Sequence, residues 1–386
     1  MKILVSPASE LFTDNRPHGE GLICYQIVSR LAKRGHHLHV FSSNYDLQTD
    51  LPNTEIVRIN DRTRISSLRH WKYQLKSSAA LQRIMQNGKV DVVHHLMPLY
   101  HETHFSSAKH APLVLGPMFL PWQLTDEDLD VPQPDAGGAK RLAKEVLGRI
   151  SRRMYSETLN RAEKILITVD NPLRELLPAD VQPNVRIIPF GVDTKKFAPA
   201  QRQQNIRPTI LFLANLLKRK GLRFLLEAMP LIKEEVPNVR LDVVGGGPGE
   251  QYFKTLADCL GVTSEVSFEG PVSHDETVKW FQQCDLYCLP SLGEPFGVSV
   301  LEAMACGKPV VVTDAGGIPS FVENGRGGYL VPLRDPASLA EAAIKILKND
   351  SLAAQMGKHN RELCIRKYDW EIIVDQIESV YEEVVH

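Results

Sequence analysis

Short apolar runs alternate with helix-length amphipathic segments along almost the whole chain, and this alternation constrains the fold more than any other feature. It predicts parallel sheets whose strands are joined by helical crossovers. Two series of candidate strands are visible. The first comprises KILVS from Lys2, HLHVFS from His37, TEIVRI from Thr54, VDVVHH from Val90, PLVLG from Pro112, KILITV from Lys164 and VRIIPF from Val185. The second comprises PTILFLA from Pro208, VRLDVVG from Val239, EVSFEG from Glu265, DLYCLP from Asp285, PVVVT from Pro309 and GYLV from Gly328.

Between the series lies FAPAQRQQNIRP, polar and proline-flanked with no apolar period, which reads as a linker. At 386 residues the chain exceeds the size at which a single core stops growing. The expected organisation is therefore a Rossmann-like domain over residues 1–195, a second over 206–367, and a C-terminal helix over 368–386. In that last segment Ile372, Ile373, Ile377, Val380, Tyr381 and Val384 recur at helical spacing, suited to packing back on the first domain. Two doubly wound sheets imply a cleft, with ligands beyond the carboxyl ends of the strands. Chemistry is to be sought on strand-to-helix turns.

Formal net charge is −1 and no low-complexity tract is present, so nothing global calls for nucleic acid. Cys24, Cys259, Cys284, Cys288, Cys306 and Cys364 are scattered, and only Cys284 and Cys288 are close, within a candidate strand. They read as reduced thiols rather than a disulfide framework or a metal site. The apolar run of MKILVSPASE is too short for the core of a signal peptide, and no window approaches a membrane span. A reducing cytoplasm is the expected compartment. Two basic stretches, RISSLRHWKYQLKSSAALQRIMQNGK and KRLAKEVLGRISRRMYSETLNRAEK, suit peripheral contact with the anionic inner face of a membrane. Core-packed helices with a charged outer face are the alternative.

The richest turn is DLYCLPSLGEPFGVSVLEAMACGKPVVVT, which reads as strand, turn, helix, turn, strand. N–H groups of Phe296, Gly297 and Val298 would open the helix, where phosphate oxygens are favoured by hydrogen bonding and by the dipole. Glu294 precedes the helix and Glu302 lies about one turn inside it, so the two do not form an acid–base pair. Two separated carboxylates suit two separate diols, one on a sugar and one on a ribose. The alternative is a surface glutamate and an ordinary helix glutamate. LKRKGLRFLLEAM places Lys218, Arg219 and Lys220 on another turn, where they can neutralise a diphosphate or form a solvated basic loop.

Other turns carry weaker signals. VVGGGPGEQ departs from G-x-G-x-x-G at Glu250 and reads as a tight turn. Gly19 and Gly21 suggest a glycine-hinged loop just before a helix. VVHHLMPLYHETHF clusters His94, His95, His101 and His104 without a metal-ligand pattern. It is read instead as bringing one histidine, His94 or His95, to the cleft. Asp126 and Asp128 can chelate a divalent cation or belong to a solvated acidic loop.

The ordered set RLAKRGHHLHVF, VDVVHH, IPFGVDTKKF, KGLRFLLEAM, LDVVGGGPGE and EPFGVSVLEAMACGKPVVVTDAGG resembles the retaining glycosyltransferases of the GT-B fold, family 4. The resemblance runs nearly end to end, with the E-x(7)-E pattern its strongest part. It implies a nucleotide-diphosphate sugar donor, an acceptor hydroxyl on a glycolipid, polysaccharide or small molecule, retention of configuration without a covalent intermediate, and no metal or other cofactor. It also implies that Glu294 contacts donor-sugar hydroxyls, Glu302 holds the ribose, and backbone amides of Phe296, Gly297 and Val298 meet the sugar or its phosphate. Lys220 would stabilise the departing diphosphate, the loop of Gly19 and Gly21 would close over the phosphates, and His95 or His94 would sit near the anomeric carbon.

Three positions depart from the family pattern. Asn215 stands where an arginine is usual, with Lys218 or Arg219 as the compensating cation. Glu20 separates glycines that are usually paired, and Ser320 replaces a frequent glutamate. A non-catalytic nucleotide-sugar binder and a glycoside hydrolase are the alternative functions. The nature of the sugar, base and acceptor, and the oligomeric state, are not encoded in these motifs.

Overall fold

The computed structural model describes residues 1–7, 11–15, 19–59, 76–77, 79–86, 88–96, 111–118, 153, 155–171, 173–200 and 207–386. The described residues fall into two compact units. One holds those up to Phe190 together with Glu371–His386, and the other runs Gly191–Trp370.

In the first unit the strands are β1 (Lys2–Pro7), β2 (Leu11–Thr13), β3 (His37–Ser42), β4 (Asn44–Asp46), β5 (Thr54–Arg58), β6 (Val92–Leu96), β7 (Leu113–Met118), β8 (Lys164–Ile167) and β9 (Val185–Ile187). Among the described residues, seven of them pair in parallel in the order β5-β3-β1-β6-β7-β8-β9. In the second unit β10 (Thr209–Leu213), β11 (Arg240–Val244), β12 (Val266–Gly270), β13 (Leu286–Leu289), β14 (Val310–Thr313) and β15 (Gly328–Val331) pair in parallel as β12-β11-β10-β13-β14-β15. All thirteen apolar runs of the sequence lie in these two sheets. The ribbon of β2 and β4 was not foreseen, because LFT and NYD are too short to carry a period.

Described helices are α1 (Gly19–Lys33), α2 (Leu222–Glu235), α3 (Glu250–Cys259), α4 (Thr277–Gln283), α5 (Val298–Ala305), α6 (Pro336–Leu347), α7 (Asp350–Leu363) and α8 (Trp370–Val385). Helices cover both faces of a doubly wound sheet, so central strands have no solvent side. Accordingly β6, β7, β13 and β14 are buried at every residue. Strand order reverses at β1 in one sheet and at β10 in the other. These reversals put switch points between β1 and β6 and between β10 and β13, where a doubly wound sheet leaves room for a ligand beyond the strand ends.

Helix α8 packs within the first unit. Ile373, Val374, Ile377, Val380 and Tyr381 are buried, while Ile372 and Val384 are half-buried. Its acidic side is paired: Arg30 bonds Glu371, Arg34 bonds Glu371, Asp375 and Glu378, His36 meets Glu378, and Lys164 and Arg186 reach Glu383. Among the described residues no helix is long and apolar enough to cross a membrane.

Candidate active site

The turns that leave β10 and β13 meet at the switch point of the second sheet. After β10 the chain makes a short 3-10 turn over Lys218–Lys220, stopped by Gly221 with φ +75°. A side chain at Gly221 would lie 1.7 Å from the carbonyl oxygen of Pro290, so this contact between turns requires glycine. The carbonyl of Arg219 accepts from Leu292 N at 2.8 Å and from the Ser291 hydroxyl at 3.0 Å. These bonds fix the basic turn against the segment that carries Glu294. Lys220 Nζ then donates to Glu294 Oε2.

Glu294 is also fixed from behind. Its carbonyl accepts from Gly317 N at 2.9 Å, and a side chain at Gly316, where φ is +57°, would lie 1.9 Å from that same oxygen. The pair Gly316 and Gly317 thus lets the DAGGIP segment pack flat on the Glu294–Phe296 turn. Ser320, at the next short turn, spends its hydroxyl on the Gly317 carbonyl at 2.6 Å.

Helix α5 begins directly after this turn. Gly297 precedes it with φ +98°, a left-handed conformation that reverses the chain into the helix. Phe296 is anchored inward, its ring 5.1 Å from that of Phe321. The bonds from Val300 N and Leu301 N to Gly297 O, at 3.0 and 3.4 Å, begin the helix, so by helical geometry the N–H groups of Val298 and Ser299 precede its first intrahelical bond and point out of its N-terminus. Tyr287 closes the other side, with its hydroxyl 3.2 Å from Leu213 O and 2.9 Å from Ser299 Oγ. It ties the end of β10 to the first turn of α5.

Glu302 has different partners. Its Oε1 lies 2.8 Å from His274 Nε2, and His274 Nδ1 lies 3.1 Å from Lys196 Nζ. Glu294 and Glu302 are 8% and 7% exposed, so each is a nearly buried carboxylate held by its own donor. That arrangement suits two separate recognition tasks and not one shared proton. Asn215 is exposed, with its carbonyl accepting from Leu217 N at 2.8 Å, and Lys218 is exposed beside it.

In the first unit, Gly19 and Gly21 occupy the first turn of α1 and not a loop before it, since the helix opens at Gly19. His94 and His95 are both fully buried on β6. His94 donates from Nε2 to Gly116 O at 2.7 Å and accepts at Nδ1 from the Tyr381 hydroxyl at 2.5 Å. Burial pushes His94 down to about 4 and His95 down to about 3, so both are neutral near pH 7. His94 is therefore committed to joining β6, β7 and α8.

Asp126, Asp128, His101 and His104 lie outside the described residues, as do residues 64–75, 78, 87, 140–152 and 154 of the two basic stretches. Among the described residues no group of three or more His, Cys, Asp or Glu is arranged to hold a metal. The sequence reading missed His274, Tyr287 and the close approach made by Gly316 and Gly317. A histidine in PVSHDE has no distinguishing spacing, and Tyr287 looks like one more apolar strand residue.

Residues 193–363 match the family described as Glycosyl transferases group 1, and residues 19–196 match Glycosyltransferase Family 4. The phosphatidyl-myo-inositol mannosyltransferase of Mycobacterium leprae is 35% identical over 51% of this chain and 53% of its own length, so the chain spans about half of that relative. The N-acetyl-alpha-D-glucosaminyl L-malate synthase of Bacillus anthracis is 27% identical over 95% of this chain and 94% of its own. Among solved structures, sucrose-phosphate synthase from Thermosynechococcus elongatus superposes with TM-score 0.78 at 21% identity, covering 99% of both chains. Anabaena Alr3699/HepE in complex with UDP superposes with TM-score 0.72 at 21% identity, over 99% of this chain and 100% of that one. The two family matches together run from residue 19 to residue 363, over two units that each hold a parallel sheet, and the chain belongs to glycosyltransferase family 4 of the GT-B fold.

Proposed function

We propose that the protein transfers a glycosyl group from a nucleotide-diphosphate sugar to an acceptor hydroxyl with retention of configuration. One observation carries this reading: the lysine of the β10 turn is bonded to the glutamate of the β13 turn, immediately before a helix N-terminus opened by glycine. Cation, amides and carboxylate are the groups that a diphosphate and a sugar diol need side by side. An ammonium has three protons, so Lys220 can keep its bond to Glu294 and still donate to a phosphate oxygen.

In this reading Glu294 accepts from sugar hydroxyls, Lys220 and the N–H groups of Phe296, Gly297 and Val298 hold the diphosphate, and Glu302 accepts from ribose hydroxyls. Arg219 and Asn215 flank the phosphates. The bond from the anomeric carbon to the phosphate oxygen breaks, and the diphosphate leaves with the electron pair. The acceptor oxygen bonds from the face just vacated, and its proton passes to the departing phosphate.

The solved complex of Anabaena HepE with UDP supports a nucleoside diphosphate as the carrier. Relatives named for inositol lipid, inositol phosphate and malate acceptors agree only in offering a hydroxyl. Six free cysteines, five of them buried, support a reducing compartment such as the cytoplasm. Peripheral contact with an anionic lipid surface through the basic stretches of the first domain is part of the proposal.

The test is a panel of UDP-, GDP- and ADP-sugars with hydroxyl acceptors, with the product anomer read by proton NMR. An axial donor giving an axial product is expected. An equatorial product from an axial donor would overturn retention, and tight binding of donor with no sugar released or transferred would support a non-catalytic binder.

A further inference from the structure

Glu302 is not positioned by its own helix alone. Its partner His274 comes from the turn between β12 and α4, and that histidine is itself held from three directions. Lys196 Nζ is 3.1 Å from Nδ1, the Phe197 ring lies tilted with its centroid 5.4 Å away, and Thr277 Oγ1 donates to the His274 carbonyl at 2.7 Å. Lys196 is fixed in turn by Asp275 Oδ1 at 2.6 Å, and its main-chain N–H donates to Asp193 Oδ1 at 3.0 Å.

An ammonium can only donate. Nδ1 must therefore accept, and in the neutral ring the one proton sits on Nε2, facing the carboxylate. Glu302 Oε1 is engaged by that proton, which leaves Oε2 and the remaining lone pairs for hydroxyl donors. A flexible carboxylate loses rotamer freedom whenever it grips a diol. One already held in place loses less, so the support raises affinity for the diol without touching it.

We propose that His274 is a positioning residue for recognition of the nucleotide's ribose, with Lys196 fixing the tautomer that lets it hold Glu302. This inference rests on the reading that Glu302 accepts from the ribose hydroxyls.

The experiment is titration calorimetry on the full chain with UDP, GDP and ADP, each beside its 2′,3′-dideoxy counterpart. Preference for the ribonucleotide is the readout, since a general loss of fold weakens both ligands alike. His274→Phe keeps the stack on Phe197 and removes both nitrogens. It is expected to lower ribonucleotide affinity about tenfold, the size of one hydrogen bond, and to leave dideoxynucleotide affinity within about twofold. His274→Gln, which can still donate to Glu302, is expected to restore most of the preference. Lys196→Met leaves the ring in place and should show the same selective loss, so it carries the test if His274→Phe does not fold.

Equal losses for both ligands, or none, would overturn the role of His274. Glu302→Ala separates the two layers. If it abolishes the preference while His274→Phe and Lys196→Met retain it, the positioning proposal fails and the ribose reading stands. If Glu302→Ala itself retains the preference, or if none of the three nucleotides binds, the ribose reading fails and the positioning proposal with it.

Discussion

Lys220 donates to Glu294 across two turns that come from neighbouring strands of one sheet, and both side chains are nearly buried. The sequence separates them by 74 positions, and only the strand order β10-β13 brings them together. The contact therefore links the doubly wound topology directly to the proposed chemistry.

Removing either partner should affect both activity and stability. Glu294→Ala and Lys220→Ala are each expected to lower kcat/KM by about a hundredfold or more, as loss of a preorganised polar group at the reacting centre does. Each also leaves a buried group without its partner, costing about 1 to 3 kcal/mol in urea unfolding. Since one contact is lost in both variants, the double variant should be less destabilised than the sum. Strict additivity would mean that the pair is not energetically coupled.

The glycines at the turn contacts make a graded prediction. Gly221→Ala and Gly316→Ala each place a methyl within 2 Å of a backbone oxygen at positive φ, whereas Gly261, with φ +67°, faces open space. Gly261→Ala should cost only the left-handed conformation, about 1 to 2 kcal/mol. The other two should cost at least about 1 kcal/mol more, since a backbone carbonyl must move. They should also lower turnover, because Gly316 supports Glu294 and Gly221 supports Lys220. Chemical denaturation of the three variants side by side checks the ranking. Equal costs at all three sites would sink the close-approach argument.

His94 sets a pH dependence. Its folded value, about 4, lies below its ordinary value of 6.5, so between those limits the unfolded chain binds more protons. Stability from this group is complete above pH 6.5 and is lost as pH falls through the folded value. Over that window the loss amounts to about 3 kcal/mol for a group with no solvent exposure. His95 adds a loss of the same sign over pH 6.5 to about 3. His94→Gln removes one titrating group, so its unfolding free energy between pH 6.5 and 4.5 should fall less steeply than that of the parent. The range stops at 4.5 because Glu371 and Glu378, held below their ordinary value by Arg34 and His36, contribute only at more acidic pH.

Strands were legible because a buried parallel strand leaves a continuous apolar run, and every such run in the sequence is a sheet strand. Lys220, Glu294 and Gly297 were legible because each sits in a turn whose chemistry is unusual: a basic cluster, a carboxylate beside proline, a glycine before an apolar helix. His274 and Tyr287 were not, since their roles depend on which strands become neighbours and local sequence carries no record of that. His94 carries a role that sequence did not show: in the fold it supplies two bonds that join β7 and α8 to β6, which depend on which strands and helix become its neighbours.

Asn215 is the departure from family pattern that can be tested by gain rather than loss. It is exposed, and its backbone is already fixed by the carbonyl bond to Leu217 N, so a larger side chain displaces no core atoms. An arginine there adds a planar donor fork beside Lys218, Arg219 and Lys220, on the turn proposed to face the diphosphate. Asn215→Arg is expected to lower the KM for the donor by about three- to tenfold, the gain of one exposed charge-assisted hydrogen bond. Because phosphate and diphosphate bind in both ground and transition states, kcat should change little. Adding salt should shrink the advantage, since the new contact is exposed and screened. Steady-state kinetics for both proteins at low and high ionic strength decide the matter, and an unchanged donor KM would place the phosphates away from the β10 turn.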